Sequence, residues 1–227
     1  MRGNLVIDLY AYKQFMDIKC FPHFDVEHFK LDLNKKYISV AQAVYDSGKH
    51  ILRLPSNYET PRPLLYHELT HIYDMETLKS GEKIHDFCLT GYMEYHASQV
   101  DLMVRLGANS IKEQLSFSTR DYVNDQGLTV TDYMESKFVT AVDMLNDSIL
   151  NERLAGLGVL YNFLGLRSIC LLYALDYKDN DNFSCIANRL DSYLLSTMKK
   201  YMVGWNIDVN KAVALFSNCA NAIQKVN

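Results

Sequence analysis

The chain has 227 residues, 48% of them hydrophobic and 22% charged, with ten Gly and four Pro. That length supports a sizeable core, and that composition excludes a disulfide miniprotein, a disordered tail and a repetitive fibre. Lys and Arg number 23 against 27 Asp and Glu, so no basic excess exists to hold a phosphate backbone and nucleic acid is not an expected partner.

All four prolines lie in the first 63 residues, and the architecture is expected to change near that point. Residues 9–19 and 25–34 read as short helices separated by the break at Phe21 and Pro22. Residues 36–54, KYISVAQAVYDSGKHILRL, read as two strands around a turn at Asp46, Ser47 and Gly48. A helix follows over 62–80. Thr60 can cap it by accepting a free N–H, Pro61 or Pro63 suits its first turn, and Gly81 is placed to end it. Residues 81–90 read as a loop. A second helix is bracketed by Gly91 and Gly107, with Met93, Ala97, Val100, Leu102, Met103 and Leu106 at helical spacing.

Beyond Asn109 the apolar residues keep helical periods over 128–146, 149–175, 183–203 and 209–226, as in a bundle. The most apolar stretch, 154–175, has the length of a membrane span. It carries Asn162, Arg167 and Ser168 near its middle, which marks a buried core helix instead, and no membrane is expected as a partner. The five cysteines are widely spaced with no CxxC pair, and the first residues lack the features of a signal peptide, so a cytoplasmic protein is expected. The expected class is α+β and predominantly helical. A small core over 1–108 has a short antiparallel sheet and two site helices, and a helical region over 109–227 packs on it.

One motif carries chemistry. His67-Glu68-Leu69-Thr70-His71 is an HExxH on the helix over 62–80. A spacing of four residues rotates the second imidazole only about 40° from the first and sets it about 6 Å along the axis, so both reach one metal ion. Zinc takes imidazole nitrogen at about 2.0 to 2.1 Å, and a catalytic zinc has three protein ligands and one open position. Glu68, about 100° round the helix, flanks the site and can take a proton from water activated by the ion.

The third ligand sets the class of site. The continuation His-x-x-Gly-x-x-His is absent, because Asp74 and Thr77 stand where Gly and His are required. Glu94, 23 residues after His71 in GYMEYHASQVDL, lies on the next helix, which a loop lets turn back alongside the first. It is the expected third ligand. His85 and Asp86 compete from the loop, as does His96, about 200° round from Glu94. Cys88 offers a thiolate.

With His67, Glu68, His71 and Glu94 in this pattern, HELTHIYD followed by MEYHASQVDL resembles the glutamate-ligand zincins, or gluzincins, and is most similar to the small IrrE/ImmA-type metallopeptidases. The likeness covers about residues 37–106. It implies Zn2+ as cofactor, a peptide or protein substrate, and hydrolysis with Glu68 as general base. It also implies that the second strand of the hairpin is the cleft edge that holds substrate backbone in extended form. The alternative expectation is a catalytically inactive zincin-like regulatory or interaction protein acting through its helical C-terminal half.

A ligating imidazole donates its other ring N–H to a carboxylate or carbonyl. Asp101, Asp74 and Ser98 are positioned in sequence to supply such support, Asp101 first. The oxyanion formed in hydrolysis needs a further donor, and Tyr66, His85, Tyr95 and His96 are the nearby choices.

Overall fold

The computed structural model describes residues 2–32, 34, 36–37, 40–123, 127–179 and 183–225. Positions 33, 38, 39 and 226 of the elements expected from sequence lie outside the described residues. The first helix, α1 (Arg2–Met16), starts well before residue 9 and ends where Asp17 takes a left-handed φ of 55°.

Three strands follow: β1 (Phe24–Phe29), β2 (Gln42–Asp46) and β3 (Lys49–Pro55). The segment expected as a helix over 25–34 is therefore strand from Asp25 to Phe29, and no helix occurs among its described residues. FDVEHF, rich in aromatic and β-branched residues, pairs in parallel with β3, from Phe24 opposite His50 to Phe29 opposite Pro55. That ladder satisfies its backbone and overrides the helical reading. The hairpin forms as expected, with Asp46 opposite Lys49 and left-handed φ of 49° and 83° at Ser47 and Gly48. Two consecutive left-handed residues give the turn whose twist matches the strands it joins. The strand order is β1-β3-β2, so the sheet is mixed rather than wholly antiparallel. It follows that β3, the hairpin's second strand, is central, and that β2, its first, is the outer strand that lies against the next helix.

That helix is α2 (Arg62–Leu78). Its N-cap is Pro61, held extended, with no side-chain cap bond. Thr60 therefore sits one residue too early to cap it, and Pro63 in the first turn has no N–H to satisfy. The chain leaves α2 at Lys79, turns through Gly81 at φ 82°, and enters α3 (Lys83–Arg105). The expected loop over 81–90 is mostly helix. Gly91 does not open a helix but lies inside one, where the Phe216 ring would stand 2.3 Å from an added Cβ.

Beyond α3, β4 (Tyr122–Val123) and β5 (Leu128–Thr129) form a short ladder. α4 (Val130–Leu145) then starts at a capping box between Thr129 and Asp132. It is followed by α5 (Leu150–Tyr173), a 3-10 turn at Phe183–Ile186, α6 (Ser192–Tyr201) and α7 (Val209–Lys225). The single helix expected over 183–203 is divided because Asp191 caps a new start, accepting from Leu194 N at 2.8 Å.

Packing places the site. α3 lies between α2 and the pair α5 and α7, and α4 covers α5. The apolar cluster is continuous from Tyr12 in α1 to Ile223 in α7. α5 is long and apolar enough to cross a bilayer, yet 72% of its most apolar window is buried in the protein. Its Arg167 is buried and forked onto Asp179. On one side of α2, Tyr12 of α1 donates to Thr70 at 3.1 Å. The buried His50 of β3 meets Glu76 of α2 at 2.9 Å and fixes the hairpin to that helix.

Close approach of α5 to α3 depends on Gly165, where an added Cβ would stand 2.2 Å from the Tyr95 carbonyl oxygen. Gly158 in the same helix has its nearest neighbour, Glu94 Cγ, at 3.7 Å. In denaturant melts, Gly165→Ala is expected to lose about 3 kcal/mol, because backbone must shift. Gly158→Ala is expected to be neutral or to gain up to about 1 kcal/mol from helix propensity.

Candidate metal centre

His67 and His71 lie one turn apart on α2, and Glu94 reaches them from α3. The two Nε2 atoms are 3.0 Å apart, and each is 3.5 Å from Glu94 Oε2. The side chains are 12, 8 and 23% exposed respectively. Among the described residues this is the one group of three or more His, Cys, Asp or Glu side chains close enough to hold a metal ion.

The three atoms suit an ion well. A circle through points with those separations has a radius of about 1.9 Å, so a metal slightly above their plane meets all three at zinc's usual distance of about 2.0 to 2.1 Å. Two imidazole nitrogens and one carboxylate oxygen also leave a tetrahedral ion one position for water or substrate. The donor set admits Zn, Fe, Co or Ni on softness alone and does not identify the ion.

Without metal, electrostatics hold the same atoms together. Burial alone would push the His71 pKa down, but the charge and hydrogen bond of Glu94, with Glu68 and Asp74 adding to them, push it up to about 9. Burial likewise raises the Glu94 carboxyl, and the two imidazoles outweigh it and hold the group well below the carboxylate range. Among the described residues, the buried His71 Nδ1 has no hydrogen-bond partner.

Glu68 is buried, and its Oε2 accepts the N–H of Ala43 in β2 at 2.7 Å. Sequence reasoning missed this strand contact, because only the register of the hairpin shows that the Ala43 N–H faces away from β3. A cavity of about 20 Å³ between the hairpin and α2 reaches His71. A larger groove of about 630 Å³ lies at the start of α2, lined by Ile7, Asp8 and residues 58–62, and includes none of the triad.

The supporting residues expected from sequence have these partners. Asp74 accepts from His96 Nδ1 at 2.8 Å, Ser98 donates to Asn162 of α5, and Asp101 takes Arg105 and the Tyr133 hydroxyl. The Asp74–His96 bond joins α2 to α3 within three residues of His71 and two of Glu94, so it braces the spacing of the ligands.

Three of the four groups expected to serve the oxyanion have polar partners, and the fourth, Tyr66, has ring contacts. Tyr66 is packed edge-on by Tyr12 and Phe15, and Tyr95 donates to Ser168 and the Gly204 carbonyl. His85 lies 3.4 Å from Asp86 in the first turn of α3, and His96 holds Asp74. Cys88, buried on α3, is about 240° round from Glu94 and faces another way.

Searched against protein-family models, curated proteins and solved structures, the chain matches none.

The raised His71 pKa carries a pH signature. In the metal-free protein its contribution to stability is fully present below the unfolded histidine value of about 6.5 and is lost as pH rises through about 9. A metal must displace that proton. Zinc affinity measured by chelator competition is therefore expected to climb with pH and level off near pH 9. Glu94→Gln is expected to weaken zinc binding and flatten the melting-temperature profile of the metal-free protein over the same interval.

Proposed function

We propose that the protein is a zinc-dependent metallopeptidase of gluzincin type that hydrolyses a peptide or protein substrate, with Glu68 as general base. The observation that carries this reading is the convergence of His67, His71 and Glu94 on one ligand-sized point, with a buried carboxylate next in sequence to the first of them. A divalent ion bound there supplies a Lewis acid that polarises a carbonyl and acidifies water.

The protein's own groups do the rest. Ala43 N–H holds one oxygen of Glu68 and leaves the other to take a proton from the attacking water and pass it to the departing amine. The outer edge of β2 has the form that accepts an extended chain by main-chain hydrogen bonding. It lies against the helix that carries both imidazoles.

A second reading, a zincin-like protein without catalysis that acts through its helical C-terminal half, draws on the size of the cavity beside His71. At about 20 Å³ it admits a water molecule and not a substrate side chain.

Glu68→Gln separates the two. Zinc-loaded native protein is expected to cleave members of a mixed peptide library, and the variant to retain its zinc while losing about 100-fold or more in rate. Equal rates, or an intact library with both, would exclude the peptidase and leave the second reading.

A further inference from the structure

The buried carboxylate of Glu68 takes its orientation from a strand, because its Oε2 accepts the Ala43 N–H at 2.7 Å. Ala43 belongs to β2, an outer strand in the order β1-β3-β2, so the sheet holds it from one side. Its other side must be fixed against α2 at the distance that bond requires. Apolar packing does this incompletely. A cavity of about 20 Å³ separates the two, with Val44, Tyr45 and His50 on the hairpin side and His71, Ile72 and Met75 on the helix side. Side chains that stand apart across a space do not set its width.

Four polar side chains close the gap. Tyr45 stands opposite His50 in the hairpin register, and their rings are 4.9 Å apart. His50 Nε2 meets Glu76 Oε2 at 2.9 Å, and the same oxygen accepts Lys79 Nζ at 2.8 Å. Lys79 returns to the hairpin, with Nζ 3.3 Å from the Tyr45 hydroxyl and 4.5 Å from the centre of its ring. The circuit is closed, with two members from the strands and two from the end of α2. Hydrogen bonds from Lys79 and His50 also hold the Glu76 carboxyl below its ordinary pKa, which keeps it charged as their acceptor.

His50 is the buried member of the four. An imidazole in that position is costly unless its ring N–H is paired, so the bond to Glu76 fixes where the strand can sit. Glu76 lies about two turns beyond Glu68 on α2, and Tyr45 lies about 7 Å beyond Ala43 on β2. The strand is therefore tied to the helix at two points, Ala43 to Glu68 and His50 to Glu76. Released at the second, it can shift at the first, where about 1 Å is enough to misplace a general base.

We propose that His50 is a positioning residue: by joining Glu76 it fixes β2 against α2 and so holds the Ala43 N–H on Glu68. This rests on the peptidase reading for the role of Glu68 as base, though not for the placement of Ala43.

The test uses the whole protein without added metal, isotope-labelled, with amide exchange followed residue by residue by NMR. In His50→Leu the Ala43 amide is expected to exchange about tenfold faster, while Val44, which pairs with Ile51 in the ladder, keeps its native rate. His50→Gln retains a donor for Glu76 and is expected to restore Ala43. An unchanged Ala43 rate overturns the proposal. An equal rise in Ala43 and Val44 also overturns it, because that reports general loosening of the hairpin.

The zinc-loaded forms are then assayed on a peptide that the native protein cleaves. His50→Leu is expected to lose about tenfold in kcat, with KM and zinc affinity within about twofold, and His50→Gln to recover. Equal kcat in the native and Leu forms overturns the proposal. A native protein that cleaves no peptide overturns the peptidase reading instead, and the amide rates, which need no substrate, still decide whether His50 places Ala43 on Glu68.

Discussion

Everything at the site depends on the way α2 and α3 fold back on each other through a four-residue turn and carry a carboxylate up to two imidazoles. Glu94 lies within 3.5 Å of both rings. In the metal-free protein that attraction is strong enough to reverse the effect of burial on His71 and hold it protonated well above neutrality. A proton thus occupies the electrostatic role that a divalent ion would take, and the donor atoms stay close enough to receive one without rearrangement. Pre-organisation of this kind lowers the cost of assembling a metal site.

Other parts of the fold brace that geometry. The Asp74–His96 bond fixes α3 to α2 near the ligands, and the His50–Glu76 contact fixes the hairpin above the C-terminal half of α2. Tyr12 and Phe15 of α1 pack the opposite side around Tyr66 and Thr70. Each contact is modest, but together they leave α2 little freedom to rotate, and rotation by a single residue would turn both imidazoles away from Glu94.

The helical half contributes more than bulk. α5 supports α3 along its length, closely enough that Gly165 admits no side chain against the Tyr95 carbonyl. Polar residues near its centre are matched: Asn162 by Ser98, Arg167 by Asp179, and Ser168 by Tyr95 and Gln99. These pairs explain how a helix with the length and hydropathy of a membrane span carries polar groups at its centre inside a protein. α4 adds Tyr133, whose hydroxyl donates to the buried Asp101 of α3.

The sequence alone determined the parts governed by local periodicity and short-range chemistry. The i, i+4 imidazoles follow from helix geometry, the Ser47-Gly48 turn from residues that tolerate left-handed backbone, and the long apolar helices from their 3.6-residue period. Glu94 was legible because α3 follows α2 so closely. What only the tertiary structure decided were the non-local matters. FDVEHF became a strand because β3 offered it a ladder, Gly91 served a helix contact rather than a helix start, and Asp74 gave its carboxylate to His96. The contacts of Ala43 with Glu68 and of Tyr133 with Asp101 likewise join residues far apart in the chain. Such choices turn on which hydrogen-bonding groups and charges meet after packing, and no local pattern of residue types contains that information.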